Sequence, residues 1–429
     1  MHAVAAERIV VPFKGEGAGV DELSWGQTEN WSAIVAQKTW IPLGGVKPLP
    51  PTTTIEEIAD ELAYLMGRYQ PMRTKLRFAP DGHPRQEVFE SGEIVLSIVD
   101  AGSSDPLTVA EAICDGWRDD TLDFASEWPV RMALVRKDGV LTHMSVLMSH
   151  FVTDAAGALV MMSEVAQRVS APVAGMQPLE QARWQQSPAG QRQNESSLRH
   201  WDNILRTVSP HRFPPVSSPA EPRYWHGEFS SPKLLKAVLD IADRRGTETS
   251  TVLFALYAVA LNQITGISPV VIRPMVSNRF RPGMSNVVCT LAQAGLCSFD
   301  IGGLSFPDAL TVVQRSVMAA YKHAYFNHHD MVAFRERIAL ERGQEINIAC
   351  YFNDRRSSSR GSSFVSDAPA TFRWVASQDA PSFEPLFLHI DDVPGTAQIT
   401  LYLDSHYFSP ADGERLVRLM EEGGAEHSG

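Results

Sequence analysis

The spacing of hydrophobic positions changes from segment to segment, and each change predicts an element. In "TTTIEEIADELAYLMGRYQ" (52–70), Ile55, Ile58, Ala59, Leu62 and Leu65 recur three and four residues apart. That is one apolar stripe of a 3.6-residue period, and the threonines before it are N-cap candidates, so a helix is predicted. "RMALVRKDGVLTHMSVLMSH" (131–150) alternates instead, with Asp138-Gly139 at its middle. It predicts two strands around a hairpin turn. In the second half, "TETSTVLFALYAVALNQITG" (247–266) is apolar on nearly every side. It reads as a buried helix with Ser/Thr starts and Gly266 as its stop. The β-rich "ISPVVIRPMV" follows, and later "AQITLYLDSHYF" and "SPADGERLVRLMEE" give a strand and a capped helix.

Between these halves the pattern lapses. From Ala171 to about Pro222 the chain is rich in Pro, Ser and Gln, and only "SSLRHWDNILRTV" keeps a helical spacing, at Leu198, Trp201, Ile204 and Leu205. The expected organisation is an N-terminal half over 1–175, a connection with one helix over 176–222, and a C-terminal half over 223–429. The fold class is α/β (α+β): two mixed halves, which suggests two lobes with a cleft between them.

Composition narrows the function. The 429 residues are 44% hydrophobic and 21% charged, ordinary for a soluble globular protein. A formal charge of -12, with no Lys/Arg-rich run, argues against nucleic acid as the partner. Cys114, Cys289, Cys297 and Cys350 have neither metal-type nor disulfide-framework spacing, which predicts no metal and a reducing, cytoplasmic setting. The start "MHAVAAERIVVPFKG" lacks the features of a secretion signal. The most apolar run, Thr251 to Leu261, is shorter than the roughly 20 residues a bilayer needs, so no membrane is expected.

Candidate chemistry centres on "MSHFVTDAAG" (148–157). The strand ends at His150 and a helix begins near Asp154. Ser149 and His150 point to opposite faces of the strand, so they form no nucleophilic dyad. His150 instead lies near a helix N-terminus, whose unpaired N–H groups favour developing negative charge. Asp154 suits the cap, or an ion pair with an arginine. Taken alone, the pattern fits a structural imidazole with a capping aspartate better than a catalytic one.

The segment resembles the H-H-x-x-x-D-G signature of the condensation domains of nonribosomal peptide synthetases, within the chloramphenicol acetyltransferase-like superfamily. Further blocks are similar in the family's order: "LSWGQTENW" (23–31), "RYQPMRTKLRF" (68–78), "RHWDNIL" (199–205), the helix from Thr247 with the strand and Asn278-Arg279 after it, and "NHHDMVAF" (327–334). Ser149 stands at the first histidine and Ala155 at the glycine, whereas His150 and Asp154 are kept. Thr290, in "VVCTLAQ", stands near the family's asparagine.

The resemblance implies two chloramphenicol acetyltransferase-like lobes in a V shape with an active-site tunnel between them. It implies transfer of an acyl group from a phosphopantetheine thioester on an acyl or peptidyl carrier protein to a small-molecule or carrier-bound amine or alcohol, with no cofactor of its own. His150 is then the catalytic group. Asp154 orients its loop by pairing with an arginine, Arg279 first and Arg73 second. Ala155, Ala156 and Gly157 offer oxyanion or substrate contacts, as do Ser149 and Thr290. Ser149 either hydrogen-bonds the loop or is a replacement facing the core. A methyl group at Ala155 narrows the acceptor channel, selects an unusual acceptor or marks lost activity.

The length suits a free-standing condensation enzyme without adenylation or carrier domains. Alternatives are an acyl-CoA-dependent acyltransferase and an inactive condensation-like binding module. "GEGAGV" departs from a dinucleotide loop and reads as a turn. "PLGGVK" (42–47) has Lys47 where a carrier protein needs serine. His328-His329 reads as fold support, and "DRRSSSRGSS" (354–363) as an exposed loop, with a bridge or a carrier contact as its other readings.

Overall fold

The computed structural model describes residues 7–80, 82–214, 216–356, 364–379 and 385–428. Contacts divide the chain into two compact units. The first runs up to Arg192 and regains Ser277–Ala292; the second comprises Gln193–Val276 and the chain from Gln293 onward. The first boundary falls inside the expected connection, while the return of sixteen residues to the first unit has no sequence signal.

The first unit contains β1 (Glu7–Lys14), β2 (Gly19–Glu22), α1 (Trp25–Gln37), β3 (Pro42–Pro48), α2 (Ile55–Arg68), β4 (Thr74–Phe78), β5 (Pro84–Val88), β6 (Ser91–Asp100), α3 (Pro106–Asp119), β7 (Val130–Lys137), β8 (Val140–Ser149), α4 (Ala155–Gln167) and α5 (Pro178–Gln186). The chain passes to the second unit within α6 (Pro188–Leu205). A five-stranded sheet has the order β1-β6-β7-β8-β3, and a smaller one the order β2-β5-β4. The expected helix over 55–68 begins with a capping box, Thr54 and Glu57 bonding each other's backbone N–H. Its Ile58, Leu62 and Met66 pack in one core with Leu96 and Leu134 of the large sheet. Each such burial stabilises by about 1.5–3 kcal/mol. The hairpin joins β7 to β8 with φ +52° at Asp138 and +81° at Gly139, the backbone a two-residue turn of this kind requires. "PLGGVK" forms β3, antiparallel to β8; a Cβ at Gly44 would meet the Val146 carbonyl oxygen at 2.2 Å.

The second unit contains β9 (Tyr224–Ser231), α7 (Pro232–Arg245), α8 (Thr249–Thr265), β10 (Val270–Val276), β11 (Gln293–Ala294), β12 (Cys297–Phe299), α9 (Phe306–Lys322), α10 (His328–Arg342), β13 (Cys350–Asp354), β14 (Thr371–Gln378), β15 (Leu386–Asp391), β16 (Ala397–Asp404) and α11 (Pro410–His427). Its sheet runs β11-β10-β13-β15-β16-β9-β14, with β12 also on β10. One face, with Phe229, Leu386, Leu388, Ile399, Leu401 and Leu403, is buried under α7, α8, α9 and α11. Residues 357–363 of "DRRSSSRGSS" lie outside the described residues. Among the described residues, no helix is long and apolar enough to cross a membrane.

Candidate active site

Strand β8 delivers Ser149 and His150 to the edge of β3, where the His150 N–H donates to the Ile41 carbonyl at 2.9 Å. Ser149 is fully buried; its hydroxyl donates to the Trp40 carbonyl at 2.7 Å and accepts from the Phe151 N–H at 3.2 Å. It therefore faces the core and bonds the loop as well, and offers no surface to a substrate.

The His150 ring is half-buried, and its Nδ1 is shielded without a hydrogen-bond partner among the described residues. Burial lowers its pKa from the ordinary histidine value, against the smaller upward pull of the Asp154 carboxylate. The imidazole is thus held in its neutral, proton-accepting form at pH 7.

Asp154 is the N-cap of α4 and also an ion-pair partner. Its Oδ1 accepts from the Gly157 N–H at 2.9 Å and meets Arg279 Nη2 at 2.7 Å. Its Oδ2 accepts from Arg279 Nη1 at 2.8 Å and from the N–H groups of Leu291 (2.9 Å) and Ala292 (3.1 Å). The two side chains are 6% and 10% exposed, so the pair is desolvated, where paired geometry matters most. Arg279 Nη2 also donates to the carbonyls of Val287 and Cys289. Just before it, Asn278 sits at φ +60° with its amide donating to the Leu291 carbonyl. The family's glycine position is therefore left-handed here, a conformation asparagine tolerates.

Arg73, the second candidate partner, lies elsewhere: fully buried, it donates to the carbonyls of Phe89 and Glu16. Thr290 is fully buried and accepts from Asn30 Nδ2 at 2.9 Å, a packing contact with α1 rather than a substrate surface.

At the start of α4, Ala155 is exposed and Ala156 half-buried. The N–H groups of both are hydrogen-bonded to nothing among the described residues. The Gly157 N–H is already taken by Asp154, so Gly157 drops out of the expected oxyanion donors. Its own requirement is space: a Cβ there would meet Thr153 Oγ1 and the Val288 carbonyl oxygen at 2.4 Å, and Arg279 Nη2 at 2.8 Å. Sequence reasoning missed the N–H groups of Leu291 and Ala292, because backbone donors carry no residue-type signal.

His328 and His329 open α10 in the second unit, where Asn327 accepts from the His329 N–H at 2.9 Å. Among the described residues, no three His, Cys, Asp or Glu side chains gather into a metal site.

The fold is the mixed helix-and-sheet fold of chloramphenicol acetyltransferase-like condensation domains. The chain belongs to the condensation domain family, whose model matches residues 49–355. Tyrocidine synthase 3 of Brevibacillus parabrevis is 24% identical over 304 residues, 66% of this chain and 4% of that protein. The beauvericin nonribosomal cyclodepsipeptide synthetase of Gibberella fujikuroi is 23% identical over 379 residues, 84% of this chain and 11% of that one. This chain thus spans a small part of the length of these relatives. Among solved structures, the condensation domain of chain release from the enacyloxin polyketide synthase has a TM-score of 0.72 at 17% identity, covering 96% of this chain and 83% of that one. The X-domain from teicoplanin biosynthesis has 0.71 at 16%, covering 95% and 96%.

Proposed function

We propose that this condensation domain transfers an acyl group from a phosphopantetheine thioester, borne by an acyl or peptidyl carrier protein, to an amine or hydroxyl acceptor. The observation that carries the reading is the neutral, half-buried His150 ring on a loop fixed by the Asp154–Arg279 pair beside a helix N-terminus. The nucleophile attacks the thioester carbon, the new C–N or C–O bond forms, the C–S bond breaks, and the proton ends on the released thiol. His150 takes or holds that proton on the way. The Ala155 and Ala156 N–H groups receive the oxyanion at the positive end of α4.

The two departures from the family signature remove nothing this scheme uses. Ser149 supplies a loop hydrogen bond, and Ala155 is a helical residue with no positive φ to satisfy.

An amine with pKa near 8 is partly neutral at pH 7, whereas a hydroxyl needs a true base. His150→Ala is therefore expected to cut turnover by roughly 10²–10⁴-fold with a hydroxyl acceptor and by less with an amine. Mass spectrometry of products from carrier-bound and CoA-bound thioesters reads both this and the donor. Parental rates in the variant with both acceptors would sink the catalytic role. Stoichiometric carrier binding with no turnover of any thioester would favour a binding module, and turnover of the CoA thioester alone would move the donor to acyl-CoA.

A further inference from the structure

Arginine keeps its charge at any pH a protein folds in, so a buried guanidinium needs a carboxylate, or enough carbonyls to take its N–H groups. Buried arginines elsewhere in the chain have them: Arg279 pairs with Asp154, Arg356 with Asp354, and Arg73 donates to two carbonyls. Arg212, in the connection after α6, has a single carbonyl. It is 8% exposed, its Nη2 donates to the Pro269 carbonyl, and its Nε and Nη1 are shielded without a partner. Among the described residues, no other arginine has two shielded nitrogens in this state.

The Arg212 side chain forms part of the wall of a small cavity in the second unit. The rest of the wall includes the end of α8 (Leu261, Thr265), the start of β10 (Val270, Val271) and the chain leading into β13 (Asn347, Ile348). None of the lining residues is acidic, and no carboxylate acts on the guanidinium to offset its burial. Cys350 lines the cavity too, but burial pushes its thiol up to about 12, so it brings no negative charge at pH 7. Carbonyls at the end of α8 are already taken: Leu261 accepts from Thr265 Oγ1 and Asn262 from the Gly266 N–H, each at 2.8 Å. Asn347 Oδ1 accepts from the Ala349 N–H at 3.0 Å, which leaves its Nδ2 as a further donor. The wall thus carries a positive charge and spare N–H groups, with no anionic side chain to meet them.

We propose that this cavity binds one chloride ion, held by Nε and Nη1 of Arg212. It has room for one water-sized body, its volume being about 10 Å³. That size excludes phosphate and sulfate and suits a monatomic halide. A water molecule would satisfy the N–H groups but leave the charge unmatched. A halide meets both needs, and hydrogen bonds between ionised partners are about twice as strong as neutral ones. The bound ion links the connection carrying Arg212 to the β10 and β13 ends of the sheet, so it acts on the stability of the second unit. The inference does not depend on the acyl-transfer reading.

Thermal melts of the intact chain in sodium chloride and in sodium gluconate, at equal concentration, test it, because gluconate is too large to enter. With chloride tenfold above its dissociation constant, the melting temperature is expected to be about 3 °C higher than in gluconate, and the gain to grow only slowly with further chloride. Arg212→Met keeps most of the stem and removes the charge, so it is expected to melt at the same temperature in both salts. Crystals of the unaltered chain grown in sodium bromide decide the matter if that variant fails to fold: an anomalous peak is expected beside Nε and Nη1 of Arg212. Equal melting of the unaltered chain in the two salts, a chloride response that Arg212→Met retains, or an ordered water only at those nitrogens in the bromide crystals overturns the proposal.

Discussion

At the scale of single residues, the carboxylate of Asp154 ties the start of α4 to residues 279–292. It accepts from Gly157, Leu291 and Ala292 and from both terminal nitrogens of Arg279. Removing it leaves a guanidinium buried without an anion, a defect that costs about 3–5 kcal/mol. Asp154→Ala and Arg279→Ala are each expected to lower the melting temperature strongly, and the double variant to fall little further, since either change alone breaks the same pair. A thermal melt of the three proteins checks this, and additive losses would contradict it. The pairing of Asp154 with Arg279 was legible because both stand at recognisable places in ordered blocks. The carbonyls of Val287 and Cys289 that hold the arginine were not, since any residue type could supply them.

At the scale of elements, the entry to α4 explains which small residues are required. Gly157 is pressed between Thr153, Val288 and Arg279, whereas Ala155 is exposed. Gly157→Ala is expected to destabilise by about 1–3 kcal/mol through overpacking, read as a lower urea midpoint. Ala155→Gly is expected to cost at most about 1 kcal/mol of helix propensity and to leave turnover near the parental rate; a large gain in rate would mean that its methyl obstructs the acceptor.

The sequence patterns for α2 and the β7/β8 hairpin match the structure because apolar spacing, cap and turn residues agree with one another; α8 keeps its apolar length and its Gly266 stop, but its N-cap is Glu248, without a side-chain cap, rather than a Ser or Thr. Helix α5 escaped notice inside a stretch read as connection. Its buried face carries Gln181 and Gln185 beside Leu179 and Ala182, and Gln185 accepts from the Trp25 N–H at 3.1 Å. A helix held by amide hydrogen bonds rather than an apolar stripe has no hydrophobic period to read.

At the scale of the whole molecule, buried histidines weaken the fold in acid. Burial pushes His389 down to about 3 and His328 to about 4. Above the unfolded value near 6.5, folded and unfolded chains are both neutral at these positions and stability is flat with pH. As pH falls below it, the unfolded chain takes up protons that the folded chain refuses, so stability drops. By pH 5 each contributes a loss of about 1–2 kcal/mol. Urea unfolding at pH 7 and pH 5 measures the drop, and His389→Phe is expected to make it shallower; an unchanged slope would contradict the assignment.

Residues 277–292, read from the sequence only as a strand end and a family block, belong to the first unit although they follow the first strands of the second. During translation, then, the earlier part of the chain emerges incomplete. Until the ribosome has passed position 292, Asp154 lacks its cation and the core around Leu96 lacks Val288. A nascent chain halted at residue 192 would accordingly be open to proteases at the loop bearing His150, and only a chain carried a hundred residues further could close it.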